Sequence, residues 1–159
     1  MSRHIIYIIN PVSGTRGKQG LQQLVEQKTR AAGIPFKIFP SVASGDYSFL
    51  HPIIKEEGVT DIIIAGGDGT ISPVVDSLMH FDVNFGIIPC GSGNGLAFAA
   101  KIPKQHGRAI DLVLKGSASP AGAEGRSGPV DQSSRPAWAG GGRERAAVLI
   151  PNAFRMWRR

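Results

Sequence analysis

The stretch Gly66-Gly67-Asp68-Gly69-Thr70 constrains this chain more than any other. It follows the apolar run Ile62-Ile63-Ile64-Ala65, which has the composition of a buried strand. It precedes Ile71 to Met79, where Val74, Val75, Leu78 and Met79 draw a helical apolar stripe. A strand that runs into three glycines around one carboxylate and then opens a helix is a backbone shaped to receive phosphate. Glycine lets main-chain N–H groups come close to an anion, and a helix start adds unpaired donors and the positive end of its dipole. Asp68 would repel phosphate oxygens directly, so it suits a metal-bridged phosphate or a proton acceptor. The competing role for Asp68 is that of a turn residue whose side chain caps the following helix.

The rest of the chain up to residue 115 alternates strand-like and helix-like segments. His4 to Ile9 is an apolar run, as expected of a parallel strand covered on both faces. A loop over 10–20 with Gly14, Gly17 and Gly20 leads to a helix reaching about Ala32, with Gly33 as its stop. Phe36 to Phe39 reads as a second strand. The segment 46–57 reads as a helix that is either kinked at Pro52 or starts there. Thr60-Asp61 leads into the third strand and Asn84 to Ile88 makes the fourth. Helices are expected over 94–100 and 104–115. Such alternation predicts an α/β, three-layer, Rossmann-like domain on a parallel sheet, with ligand loops at the carboxyl ends of the strands.

Two more loops fall at strand ends. Asn10-Pro11-Val12-Ser13-Gly14 follows the first strand, and Gly91-Ser92-Gly93-Asn94-Gly95-Leu96-Ala97 follows the fourth. In the first, Asn10 is suited to bond a nucleotide or to anchor the turn, Pro11 stiffens it, Ser13 and Gly14 offer donors, and Lys18 offers a cation. It is not a P-loop: the glycine spacing is too short, and Gln19 stands where Ser or Thr would meet magnesium.

Together the three motifs resemble the catalytic domain of the diacylglycerol kinase/sphingosine kinase group of lipid kinases, bacterial relatives included, over residues 3 to 115. The central motif alone also resembles NAD kinases, which keeps a small-molecule kinase, or a non-catalytic nucleotide-binding remnant, as alternatives. The resemblance implies ATP-dependent transfer of a phosphoryl group to a lipid hydroxyl, with ATP and Mg2+ held by the loops. By resemblance Asp68 is the catalytic and magnesium-associated residue, through water or phosphate. Gly66, Gly67, Gly69 and Thr70 shape its loop, Ser41 supplies a hydroxyl near the nucleotide, and Gly91, Ser92, Gly93 and Asn94 form the third contact. Asn94 is equally suited to cap its own helix. Two positions depart from the pattern. Thr70-Ile71-Ser72-Pro73 replaces Thr-hydrophobic-Asn-Glu, so no carboxylate stands at Pro73, which is expected in a first helical turn. Gly95-Leu96-Ala97 is closer to the sphingosine and ceramide kinase pattern, which favours a long-chain amino alcohol or related lipid.

Composition separates the chain at Gly116. Residues 1–115 hold 11 Lys/Arg against 9 Asp/Glu, whereas 116–159 hold 7 Arg against 3 acids. The net charge of +6 therefore owes most to the last part, and argues poorly for nucleic-acid binding by the folded part. From 117 to 147, 25 of 31 residues are Gly, Ala, Ser, Pro or Arg, too apolar-poor for a core, so 116–159 is expected to be a disordered or frame-shifted tail. The family's second, largely β domain, which carries the lipid pocket, leaves no trace there, so weak or absent turnover is expected. The single cysteine, Cys90, excludes a disulfide scaffold; it reads as a turn filler more than as a reactive thiol. No run has the length of a membrane span, so a cytoplasmic protein visiting a membrane surface is expected, with a homodimer left open. The four histidines and Cys90 show no metal-ligand spacing.

Overall fold

The computed structural model describes residues 2–11, 18–90, 95, 102–115 and 150–151. Four strands, β1 (Ile5–Ile9), β2 (Phe36–Pro40), β3 (Asp61–Gly66) and β4 (Asn84–Pro89), lie in the order β2-β1-β3-β4, each neighbouring pair parallel. Parallel neighbours cannot be joined by a tight turn. The connections are made through α1 (Lys18–Ala31), α2 (Leu50–Glu56) and α3 (Asp68–Leu78), and α4 (His106–Lys115) follows β4. Two residues of β5 (Ile150–Pro151) pair antiparallel with Phe85 and Asn84 along the outer edge. They are the described part of the segment expected to be a tail; its other residues lie outside the described ones.

The central strands are apolar without alternation because both faces are covered. Ile5, Ile6, Tyr7 and Ile8, and Ile62 to Ala65, have no exposed surface. At roughly 1.5–3 kcal/mol for each fully buried large apolar side chain, these two strands hold much of the domain together. Tyr7 identifies the face under α1. Its hydroxyl lies 2.8 Å from Thr29 Oγ1, and Thr29 spends its own proton on the Val25 carbonyl at 2.7 Å, so Tyr7 is the donor. Phe36 stacks edge-on against Tyr7 on this face. Lys28 pairs with Asp111 at 2.7 Å, bringing α4 beside α1. Phe39, three residues after Phe36 and so on the opposite pleat, meets Phe49 just before α2. His51 of α2 reaches the Ser77 carbonyl of α3 at 3.2 Å, which joins those two helices in the third layer.

The foot of the sheet is tied by Arg3. Its Nε donates to the fully buried Asp61 at 2.9 Å, and its two terminal nitrogens donate to the carbonyls of Leu114 and Val113 at 2.8 and 2.7 Å. Asp61 is further bonded by Thr60 Oγ1 and Asn84 Nδ2, so the charge pair has left water with its partners in place. One cation thus satisfies the last carbonyls of α4 and the one buried carboxylate among the described residues.

Three boundaries differ from expectation. The helix α1 begins at Lys18, inside the segment read as loop. It ends as expected, with Gly33 at φ 69° donating to the Arg30 carbonyl. For α2 the short form is found, but it begins at Leu50, two residues before Pro52, which is thus its third residue, where no intrahelical N–H is needed. The helix α3 starts at Asp68, three residues early, because the Gly67 carbonyl accepts from both Thr70 and Ile71, at 3.0 and 3.1 Å. Pro73 is therefore the sixth residue of α3 and not in its first turn. It removes the N–H that would have reached the Gly69 carbonyl.

Candidate functional site

In this strand order β1 has β2 on one side and β3 on the other, so the direction of winding reverses between β1 and β3. A crevice opens outside the carboxyl ends of two strands at such a point. Asn10 extends β1 there, its N–H donating to the Ala65 carbonyl at 2.9 Å, and Gly66-Gly67 ends β3. Ser41, just past β2, donates its N–H to the Ile9 carbonyl at 3.0 Å, which seats the third strand tip beside the first.

Side chains close the crevice floor. Asn10 Nδ2 donates to Thr70 Oγ1 at 3.1 Å, linking the end of β1 to the first turn of α3. Thr70 is buried and sits directly over Gly66: a Cβ at Gly66 would lie 2.9 Å from Thr70 Cβ and 3.0 Å from its Oγ1. Glycine at 66 is therefore a packing requirement of the helix on its strand. At Gly69 a Cβ would meet nothing within 4 Å, so its reason for being glycine is not packing. The Cys90 N–H donates to the Gly66 carbonyl at 3.2 Å, carrying the end of β4 to the same spot.

Asp68 is exposed at the first position of α3. The helix cap is Gly67 in an extended conformation, so Asp68 stands at the first helical position and not at the cap itself. Its Oδ2 accepts from the Gly95 N–H at 3.1 Å, across 27 positions of sequence. The sequence shows Gly95 only as part of the third motif and of its Gly95-Leu96-Ala97 pattern, not as a contact of Asp68. Pro11 is exposed beside Asn10. Lys18 opens α1, and its side chain, like Ser13, Gly14, Gly91, Ser92, Gly93 and Asn94, lies outside the described residues, as does most of the helix expected over 94–100.

Cys90 is buried, and burial pushes its thiol up to about 11. A thiol so far from ionisation is a poor nucleophile, which agrees with its reading as a filler. His106 reaches it: Nε2 lies 3.6 Å from Sγ. Among the described residues no three His, Cys, Asp or Glu side chains gather as a metal cage. No helix among them is long and apolar enough to cross a membrane. A groove between α1 and β2, lined by Glu26, Arg30 and Lys37, sits at the foot of β2, the opposite end from the glycine turns, and contains none of these residues.

Residues 4–123 match the family described as the diacylglycerol kinase catalytic domain. The chain is 37% identical over 120 residues to a protein named diacylglycerol kinase from Bacillus subtilis (strain 168), covering 71% of this chain and 38% of that one. It is 31% identical over 93 residues to a probable lipid kinase YegS from Escherichia fergusonii, covering 56% of this chain and 31% of that one. A solved structure titled as a diacylglycerol kinase from Bacillus anthracis str. Sterne superposes with a TM-score of 0.61 at 23% identity, covering 71% of this chain and 40% of that one. At that identity the likeness shows the fold. The chain spans between 31% and 39% of the length of the first three curated relatives it matches.

Proposed function

We propose, because this chain belongs to the diacylglycerol kinase catalytic-domain family, that its glycine turns hold ATP for transfer of the terminal phosphoryl group to a lipid hydroxyl. The observation that carries this reading is the convergence of Asn10, Gly66-Gly67, Asp68 and Gly95 at one crevice, through the contacts Asn10–Thr70 and Asp68–Gly95. Phosphoryl transfer asks a protein mainly to position the phosphates and offset their charge. The main-chain N–H groups of the turns and the start of α3 supply donors without side-chain bulk. With Asn10 donating to its oxygen, the Thr70 hydroxyl keeps its own hydrogen for another acceptor.

Magnesium fits the donor set. It is commonly held by one or two carboxylates together with the nucleotide phosphates and water, and Asp68 is one exposed carboxylate at the crevice. When bound, the ion would neutralise charge on the phosphates; Asp68 would hold it directly or through water. Ser13, Gly14, Lys18, Ser41 and the Gly91–Asn94 turn belong to the same proposed nucleotide surface. The lipid hydroxyl approaches from a membrane surface that the protein visits without spanning.

Because the chain spans well under half of those relatives, its test is nucleotide binding more than turnover. Thermal denaturation is followed as Mg-ATP is added; a ligand that binds only the folded form raises the midpoint, by RT ln(1 + [L]/Kd) in free energy. A midpoint unmoved by Mg-ATP at millimolar concentration, or moved more by NAD, would sink the lipid-kinase reading.

A further inference from the structure

We propose that Tyr47 is a positioning residue for Ser41, which it holds at the rim of the crevice through the bond its hydroxyl accepts from the Val42 N–H. This deepens the reading above and rests on it. Ser41 lies between two anchored peptide groups. Its own N–H donates to the Ile9 carbonyl of β1 at 3.0 Å, and the next N–H, that of Val42, donates to Tyr47 Oη at 3.2 Å. With the amides on both sides of its α-carbon tied, Ser41 has a fixed place one step past the Ile9–Pro40 pair, level with Asn10 at the end of β1.

Tyr47 is a firm anchor. It is 1% exposed. Its own N–H donates to Ser77 Oγ of α3 at 3.1 Å, and its carbonyl accepts from the Leu50 N–H at 3.0 Å as α2 opens. A buried hydroxyl costs free energy unless it is bonded, and here the Val42 amide bonds it. The turn between Ser41 and Tyr47 also leans on α3. The Gly45 N–H closes it onto the Val42 carbonyl at 3.1 Å. Gly45 has φ 71°, and a Cβ there would lie 3.1 Å from Pro73 Cβ, so the turn passes close against that ring. Pro73 and Ser77 are four residues apart and share a face of α3. The same helix carries Thr70, which takes the Asn10 amide. One rod thus sets the tips of β1 and β2 together, and the spacing of Asn10 and Ser41 along the proposed nucleotide surface is built into it.

Tyr47→Phe keeps the ring and removes the hydroxyl. Mg-ATP is titrated calorimetrically into wild type, Tyr47→Phe, Ser41→Ala and the double variant, and exchange of the Val42 amide is followed by NMR without nucleotide. Removing the acceptor is expected to speed Val42 exchange roughly tenfold in Tyr47→Phe. Affinity for Mg-ATP is expected to fall about fivefold in Tyr47→Phe, with no further loss when that change is added to Ser41→Ala, because the hydroxyl acts through Ser41. Unchanged Val42 exchange overturns the proposal. So does an affinity within about twofold of wild type, or a loss of equal size with and without the Ser41 hydroxyl, since ring packing would then be the whole role of Tyr47. Wild type that binds no Mg-ATP removes the nucleotide reading alone. Faster Val42 exchange in Tyr47→Phe would then still uphold the grip on Ser41, and unchanged exchange would end it. Circular dichroism identical to wild type is expected for Tyr47→Phe, because the ring stays in place.

Discussion

Asn10 and Thr70 are 60 positions apart, yet the side-chain amide of one donates to the hydroxyl of the other at 3.1 Å. The bond spans the crevice between β1 and β3 and fixes where the first turn of α3 stands relative to the first strand. Thr70→Val keeps the shape and leaves a donor of Asn10 without this acceptor, which is expected to cost about 1–2 kcal/mol by urea denaturation. Asn10→Ala together with Thr70→Val is expected to cost less than the sum of the two single changes, because both remove the same bond. Strict additivity would mean that the bond carries no stability.

Gly66 and Gly69 flank Asp68 and are expected to behave oppositely. Gly66→Ala drives a Cβ into Thr70, whose β-branched side chain in a helix has little freedom to yield. A loss of about 1–3 kcal/mol is expected, with α3 displaced from the sheet. Gly69→Ala meets open space inside a helix, where alanine is the better helix former, so stability is expected to hold or rise by roughly 0.5–1 kcal/mol. Any fall in nucleotide affinity in Gly69→Ala then reports crowding of the ligand. Equal destabilisation by both changes would contradict the packing described for Gly66.

Asp61→Ala strips Arg3 of its carboxylate while leaving the guanidinium largely buried, at 14% side-chain exposure. Breaking a buried pair from one side costs about 3–5 kcal/mol. Arg3→Met, which removes the charge and leaves Asp61 with Thr60 and Asn84, is expected to be nearly as harmful because the ends of α4 lose their donor as well. Chemical denaturation midpoints compare them; a change under half a kilocalorie in either would show that the clasp is idle.

Cys90 gives a pH dependence. Its thiol sits higher in the folded protein than the ordinary 9.0, at about 11, because burial disfavours the thiolate. Stability is then fully present below about pH 9 and is lost as the pH rises towards 11, since the unfolded chain gives up that proton first. Tyr7, also raised by burial, adds to the slope at the alkaline end. Melting temperatures from pH 8 to 11 are expected to fall less steeply for Cys90→Ala than for wild type. A thiol reagent at pH 8 is expected to react slowly with the native protein, and rapid labelling would refute the burial.

The sheet was legible because strands covered on both faces leave unbroken apolar runs, as in Ile5 to Ile9 and Ile62 to Ala65. Placing the glycine motifs at strand ends followed from the same runs, and the crevice between β1 and β3 follows from the strand order. The start of α3 was missed because three glycines in five residues read as loop, whereas the Gly67 carbonyl gathers two helical amides at once. The Asp68–Gly95 and Asn10–Thr70 contacts depend on how separate strand tips meet, which no local pattern encodes. Arg3 was invisible for the same reason: a lone cation before a strand carries no sign of the two carbonyls it serves. Pro52 left two forms of α2 open, because a proline is tolerated in a first helical turn as well as at a kink, and the structure has the short one.

The clasp at Arg3 also sets a clock on biosynthesis. The guanidinium and the Leu114 carbonyl are 111 positions apart. A ribosome adding about 5–20 residues per second needs roughly 5–20 seconds to supply the second after the first. For that interval the residue leading into β1 is a cation whose final acceptors have not been made, so the foot of the sheet locks only after α4 has emerged.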